Sequence, residues 1–321
     1  MNQAPPPARD EPLCIWVTGA AGFIGGHLVR HLAAGGARVA GLDLGSAEGA
    51  GLNEIAAGWR QGPLSQGVLT SLADETGLPE TIYHLAGGSS VGASLGDPYG
   101  DFTATVGGTA MLLDWLHGHA PKTRLVIVSS AAVYGDLHTG PIAEDAATSP
   151  FSPYGAHKFA MEAICRGWAG SFGLPIVAVR LFSVYGPGLT KQLLWDLCGK
   201  LESGADPVPL GGTGDELRDW THVDDVVRAL AAAAPLATPA MPVVNAGSGQ
   251  PGSVRRIAET VTRAFGRNPK CLAFSGESRP GDPFSLVAGA GTLMAGGFDW
   301  RVDIESGVAD YVRWYRERAR A

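Results

Sequence analysis

Cysteine is scarce in this chain: Cys14, Cys165, Cys198 and Cys271 lie far apart, without CxxC spacing and without a histidine cluster beside them. That argues against a zinc site or any other metal, and against a disulfide framework; it fits a reducing cytoplasm. No apolar run approaches the roughly twenty residues of a membrane span. The first dozen residues, MNQAPPPARDEP, lack the apolar stretch of a signal peptide, so residues 1–12 read as a disordered tail. Basic blocks are missing too, apart from RWYRERAR near the end, and the net charge is −7, which disfavours a nucleic-acid partner. What remains is ordinary globular composition, 45% hydrophobic and 17% charged over 321 residues, enough for one large or two intimate domains.

Short apolar, β-rich runs alternate with helical patterns. LCIWVT, ARVAGL, TIYHLAG, RLVIVSS and PIVAVRLF are the strand candidates, and such alternation predicts an α/β fold with a doubly wound parallel sheet. The stretch 45–80, rich in Gly, Ala and Gln, does not reveal its strand. After Arg180, Gly, Pro and isolated aromatics become frequent, which suggests a smaller, interrupted second domain. The expected division is a Rossmann-like domain over 13–180 with a return segment near 218–247, and a C-terminal substrate domain from 181–217 and 248–321. Ser253 is placed to cap a helix VRRIAETVTRAF, and RWYRERAR to end a terminal amphipathic one.

Between the first strand and its helix stands TGAAGFIG. In such a turn Gly19 permits the bend, Gly22 lets the backbone approach a pyrophosphate, and Gly25 lets helix pack on strand. Ala21, Phe23 and Ile24 complete the turn, whose helix end presents unpaired N–H groups to phosphates. The second strand finishes on Asp43, followed by Leu44. An acid there accepts adenosine ribose hydroxyls and repels a 2′-phosphate, which favours NAD over NADP. Ligands in such sheets sit beyond the carboxyl ends of the strands, so Leu85, Ala86 and Gly87, Ser130, and Phe182 with Ser183 should converge on the same crevice.

In SPYGAHK, Ser152 reads as the N-cap and Pro153 suits the first helical position, so Tyr154 and Lys158 share one helix face. A tyrosine of pKa about 10 is a weak base at neutral pH. The Lys158 ammonium, the positive helix end and a cationic nicotinamide would each favour phenolate. Tyr154 could then take a proton from a sugar hydroxyl while Ser130 hydrogen-bonds the same oxygen. His84 and His222 read as structural residues.

These strings, with YHLAG, SSAAVYG, RLFSVYGPG, RDWTHVDD, NAGSG and RPGD, resemble the extended short-chain dehydrogenase/reductase family, in particular its NAD-dependent NDP-sugar epimerases and dehydratases. The resemblance runs from Leu13 to Tyr315. It implies a tightly bound NAD, a nucleotide-sugar substrate that is UDP-linked, a homodimer formed through helices over 101–118 and 154–169, and Ser130, Tyr154 and Lys158 as catalytic residues. It also implies that Arg218 and Arg279 hold the diphosphate and that Ser89, Ser90 and Val91 line the sugar. Dehydrating relatives carry Asp-Glu, and decarboxylating ones Glu, where this chain has Ala131 and Ala132, so the resemblance favours the 4-epimerase version. The alternatives are a keto-reductase or dehydrogenase and a non-catalytic NAD-binding protein. The chain departs from the family pattern at Thr105 and Ser183, which stand where Asn is usual, and at Pro63 and Gly289, which stand where acids are usual.

Overall fold

The structure, a computed structural model, describes residues 12–277 and 283–318; the expected disordered tail falls almost wholly outside them. The strands are β1 (Cys14–Thr18), β2 (Arg38–Asp43), β3 (Gly58–Gln61), β4 (Thr81–His84), β5 (Arg124–Ser130), β6 (Ile176–Leu181), β7 (Ser183–Tyr185), β8 (Val208–Leu210), β9 (Leu217–His222), β10 (Val243–Ala246), β11 (Pro251–Ser253), β12 (Leu272–Phe274) and β13 (Ser285–Leu286). Among the helices are α1 (Phe23–Ala34), α2 (Gln66–Thr76), α3 (Val91–Gly96), α4 (Pro98–Phe102), α5 (Gly108–His119), α6 (Pro153–Phe172), α7 (Gln192–Glu202), α8 (Val223–Ala233), α9 (Val254–Ala264), α10 (Thr292–Ala295) and α11 (Ile304–Arg318).

Seven strands form one parallel sheet in the order β10-β6-β5-β4-β1-β2-β3. Each of its inner strands is buried on both faces, which is why the five strand candidates appear in sequence as continuous apolar runs rather than alternating ones. Alternate side chains serve opposite layers. Val17, Val126, Val177 and Val244 pack with α1 and α8, while Trp16, Leu125, Ile127 and Ile176 pack with α2, α5 and α6. This is the Rossmann-like, doubly wound sheet read from the sequence. The order reverses at β1 and β4, and a crevice opens beyond their carboxyl ends.

The strand hidden in 45–80 is β3. It is a four-residue edge strand with a single large apolar side chain, Trp59, too short to carry a periodic signal. After β6 the chain builds a smaller assembly, with β9 between β11 and β13 and also pairing β7, and β8 pairing β12. Its own core gathers Leu197, Val208, Ile257, Val261, Val308 and Tyr311 from α7, β8, α9 and α11. Ser253 caps α9 by accepting the Arg256 N–H. No described helix is long and apolar enough to cross a membrane.

Candidate active site

The glycine turn is built by close contact. Gly19 has φ +72°, and a Cβ there would lie 2.8 Å from the Ala86 nitrogen and 2.9 Å from the Leu85 carbonyl carbon. A Cβ on Gly25 would lie 2.0 Å from the Gly19 oxygen, so the helix can press on the turn only if that residue is glycine. Gly22 is different. It is the N-cap of α1, makes no side-chain cap, and leaves the first-turn N–H groups facing the cavity. Asp43 closes the turn from the side: its Oδ2 accepts the Ala21 N–H and its Oδ1 the Gly45 N–H, both at 2.9 Å. A carboxylate has about four acceptor sites, so two remain for ribose hydroxyls. Leu44, beside it, is an exposed rim residue.

The loop after β4 hangs on one hydrogen-bond chain. Thr109 donates to the Thr105 carbonyl (2.6 Å) and accepts from His84 Nε2 (2.9 Å). Nδ1 of the same ring accepts from the Thr18 hydroxyl (2.7 Å), whose oxygen takes the Ala86 N–H (3.2 Å). Burial pushes the His84 pKa down to about 3, so the ring is neutral and structural. Thr105, the departure from the family's Asn, accepts the Gly88 N–H at 2.7 Å. It therefore braces Gly87 and Gly88 beneath Ser89, Ser90 and Val91.

Ser130 ends β5 and Tyr154 begins α6. Ser152 caps the helix by accepting the Gly155 N–H (3.1 Å), with Pro153 at its first position. Gly155 lies so close to the Ala132 carbonyl that a Cβ would stand 2.7 Å from it, which brings the helix start onto the turn following Ser130. This sets the Ser130 hydroxyl close enough to the Tyr154 phenol to draw its pKa down. Lys158 donates to the Val128 carbonyl at 3.0 Å, and its nitrogen lies 5.9 Å from the Tyr154 ring centre.

The electrostatics differ from the sequence expectation. Burial pushes the Tyr154 phenol above its ordinary value, the Ser130 hydrogen bond draws it down, and the Asp101 carboxylate adds to the rise. Burial also pushes Lys158 down to about 8, against the pull of Asp101 and Glu162. The reason is that withdrawal from water outweighs the Ser130 hydrogen bond on Tyr154 and the pull of the two acids on Lys158. Sequence reasoning missed Asp101, which sits on α4 and pairs with His157 of α6 at 2.6 Å. A single acid in an irregular helix carries no motif to announce it.

A cavity of about 1050 Å³ joins these parts, running from Gly19, Gly22, Phe23, Ile24 and Gly25 past Ser130, Tyr154 and Lys158 to Phe182, Ser183 and Arg218. Arg218 is nearly buried and donates to the carbonyls of Leu217 (2.8 Å) and Phe284 (3.4 Å). Its neighbour Asp219 is turned to the other side, where it accepts from Ser248, Gly249 and Ala288. His222 caps α8 by accepting the Asp224 N–H. Arg279 lies outside the described residues. The structure also brings Lys191, Trp220 and the 210–212 segment to the cavity wall; these sit in the irregular part of the chain, where only the fold reveals proximity.

A sequence profile described as the NAD dependent epimerase/dehydratase family matches residues 15–247. The UDP-glucose 4-epimerase of Streptomyces lividans is 34% identical over 86% of this chain and 88% of its own. A dTDP-glucose 4,6-dehydratase of Actinoplanes sp. is 32% identical over 94% of this chain and 97% of its own. Among solved structures, MoeE5 in complex with UDP-glucuronic acid and NAD superposes with a TM-score of 0.81 at 32% identity, covering 95% of this chain and 99% of that one.

Proposed function

Because the chain belongs to the NAD-dependent epimerase/dehydratase family of nucleotide-sugar enzymes, we propose that it interconverts the C4 epimers of a UDP-linked sugar through a 4-keto intermediate. The glycine turn and the open first turn of α1 suit a pyrophosphate, and Asp43 the adenosine ribose, so the residues present fit NAD. When bound, that cofactor accepts the C4 hydrogen and returns it to the opposite face.

The protein's own task is to move one proton and hold the sugar. Tyr154 takes the proton of the C4 hydroxyl and Ser130 hydrogen-bonds the same oxygen as carbonyl character develops, while the Lys158 ammonium, 5.9 Å from the Tyr154 ring centre, holds a positive charge beside the base. Arg218 matches a diphosphate by the fork of its guanidinium, a role Arg279 would share. Room in the cavity lets the keto sugar turn before reduction.

One observation carries epimerisation over dehydration. Directly after Ser130 stand Ala131, buried, and Ala132, both on the cavity wall. Methyl groups exchange no protons, so these two positions offer no acid and base for removing water across C5 and C6.

The test is to incubate the purified protein with UDP-sugars and no added cofactor. Epimer pairs should form without net NADH, and Tyr154→Phe should lower turnover by a factor of about 10² or more while NAD stays bound. A Tyr154→Phe protein working at the wild-type rate would remove the proposed base. Accumulation of a 4-keto-6-deoxy sugar, or stoichiometric consumption of added NADH, would replace the reaction assigned.

A further inference from the structure

Of the chain's lysines, Lys158, Lys191 and Lys200 all line the substrate cavity, leaving Lys122 and Lys270 elsewhere. Two of the three are accounted for. Lys158 belongs to the proton-transfer group, and Lys200 is paired with Asp196 at 2.6 Å. Lys191 is half-buried, and among the described residues no carboxylate lies within 4.0 Å of it. Its ammonium donates to one carbonyl, that of Ser89, at 3.2 Å.

Helix α7 gains nothing from a cation at this point. Lys191 is the N-cap of α7, a position that favours Ser, Thr, Asp or Asn, and it supplies no cap. A positive charge there also opposes the helix dipole. The following residue, Gln192, is held at φ +66°, a left-handed conformation costly for a side chain of that size, and it too faces the cavity. Burial lowers the Lys191 pKa, the sign of an ammonium short of water and of counter-charge. A local arrangement that is unfavourable by itself is what a ligand-directed side chain looks like.

Its place along the substrate follows from the partner it has among the described residues. Ser89 adjoins Ser90, which caps α3 by accepting the Ala93 N–H. Ser94 of the same short helix accepts the Tyr154 N–H at 3.0 Å. Lys191 is therefore tied to the element that seats the C4 base, not to the Arg218 end of the cavity. In a pyranose the substituent on C5 that is two bonds from C4 is C6.

Resting on the nucleotide-sugar reading above, we propose that Lys191 is a specificity-determining residue that pairs with a carboxylate at C6, so that the preferred substrate is a nucleoside diphosphate-linked uronic acid. A diphosphate would also attract an ammonium. The two sources are separable, because a uronate and its parent hexose share the diphosphate and differ only at C6.

The experiment measures binding to the NAD-loaded protein by calorimetry, with UDP-glucuronic acid and UDP-glucose as probes. Wild type should bind the uronate about ten-fold tighter or better. Lys191→Gln should weaken the uronate by about ten-fold or more and leave UDP-glucose within about two-fold, and Lys191→Arg should keep part of the preference. NAD content and melting temperature of each variant verify folding. Equal weakening of both probes by Lys191→Gln would assign the lysine to the diphosphate and overturn the proposal. Equal affinity of wild type for both probes, or no change in Lys191→Gln, would overturn it as well. Binding is read without turnover, so loss of the epimerase assignment and loss of this one are told apart: an absent epimer product refutes only the former.

Discussion

Lys158 is an ammonium kept almost entirely from water, 3% exposed, with one carbonyl as its hydrogen-bond acceptor. Its depression from 10.5 to about 8 corresponds to a folding cost of ~3 kcal/mol for the charged form. The sign follows from linkage. Between about 8 and 10.5 the unfolded chain binds the proton that the folded chain releases, so the cost is full below about pH 8 and fades as pH rises to 10.5. Replacing Lys158 by Met in NAD-free protein should therefore raise the melting temperature at pH 7 and shrink that gain toward pH 10, and in the NAD-loaded protein the same substitution should abolish turnover. Calorimetry across that pH range checks it; a variant that melts lower at pH 7 would mean that the bond to Val128 outweighs desolvation. Asp101 acts on the same pair of residues from α4, raising both Tyr154 and Lys158, so the state of the base depends on an acid that lies outside the Tyr-x-x-x-Lys string.

At the scale of elements, α6 holds the site because it is fastened to the sheet behind it. Glu162 accepts from Arg180 of β6 at 3.0 and 2.7 Å and from Ser129 of β5 at 2.5 Å, all buried. Arg180 also reaches the Glu144 carbonyl and stacks on Tyr134, whose hydroxyl donates to Asn245 of β10. A buried pair of this kind is weak evidence of net stability, yet removing one member strands the other charge. Glu162→Gln should cost roughly 3 kcal/mol, seen as a lower urea midpoint with unchanged slope. It should also slow turnover, since α6 carries both Tyr154 and Lys158. An unchanged midpoint would show that Arg180 finds water or another acceptor. The helix preceding α5 is less regular than its sequence suggests: residues 103–107 form a π-turn, which lets Thr105 point its hydroxyl at Gly88 while Thr109 reaches His84.

At the scale of the molecule, α6 shows an outward face of Ala156, Phe159, Ala163, Gly167 and Gly170, and Phe159 is 41% exposed. Small residues around one large apolar side chain suit close packing of a second copy. Light scattering should give twice the chain mass for wild type, and Phe159→Glu should give the monomer; a monomeric wild type would end this reading. How the molecule is layered was legible early, because a strand buried on both faces has no choice but to be a continuous apolar run, and because a Gly-rich turn and a terminal acid must stand at fixed offsets. LCIWVT, TGAAGFIG, Asp43 and SPYGAHK are local facts, fixed by backbone sterics and helix geometry, and sequence alone determined them. What tertiary structure decided is everything that depends on two distant segments meeting: β3 joining the sheet edge, Asp101 facing α6, and Lys191 standing over the loop that seats Tyr154. It also decided the protonation balance of Tyr154 and Lys158, since desolvation is a property of the surrounding fold and not of the residues themselves.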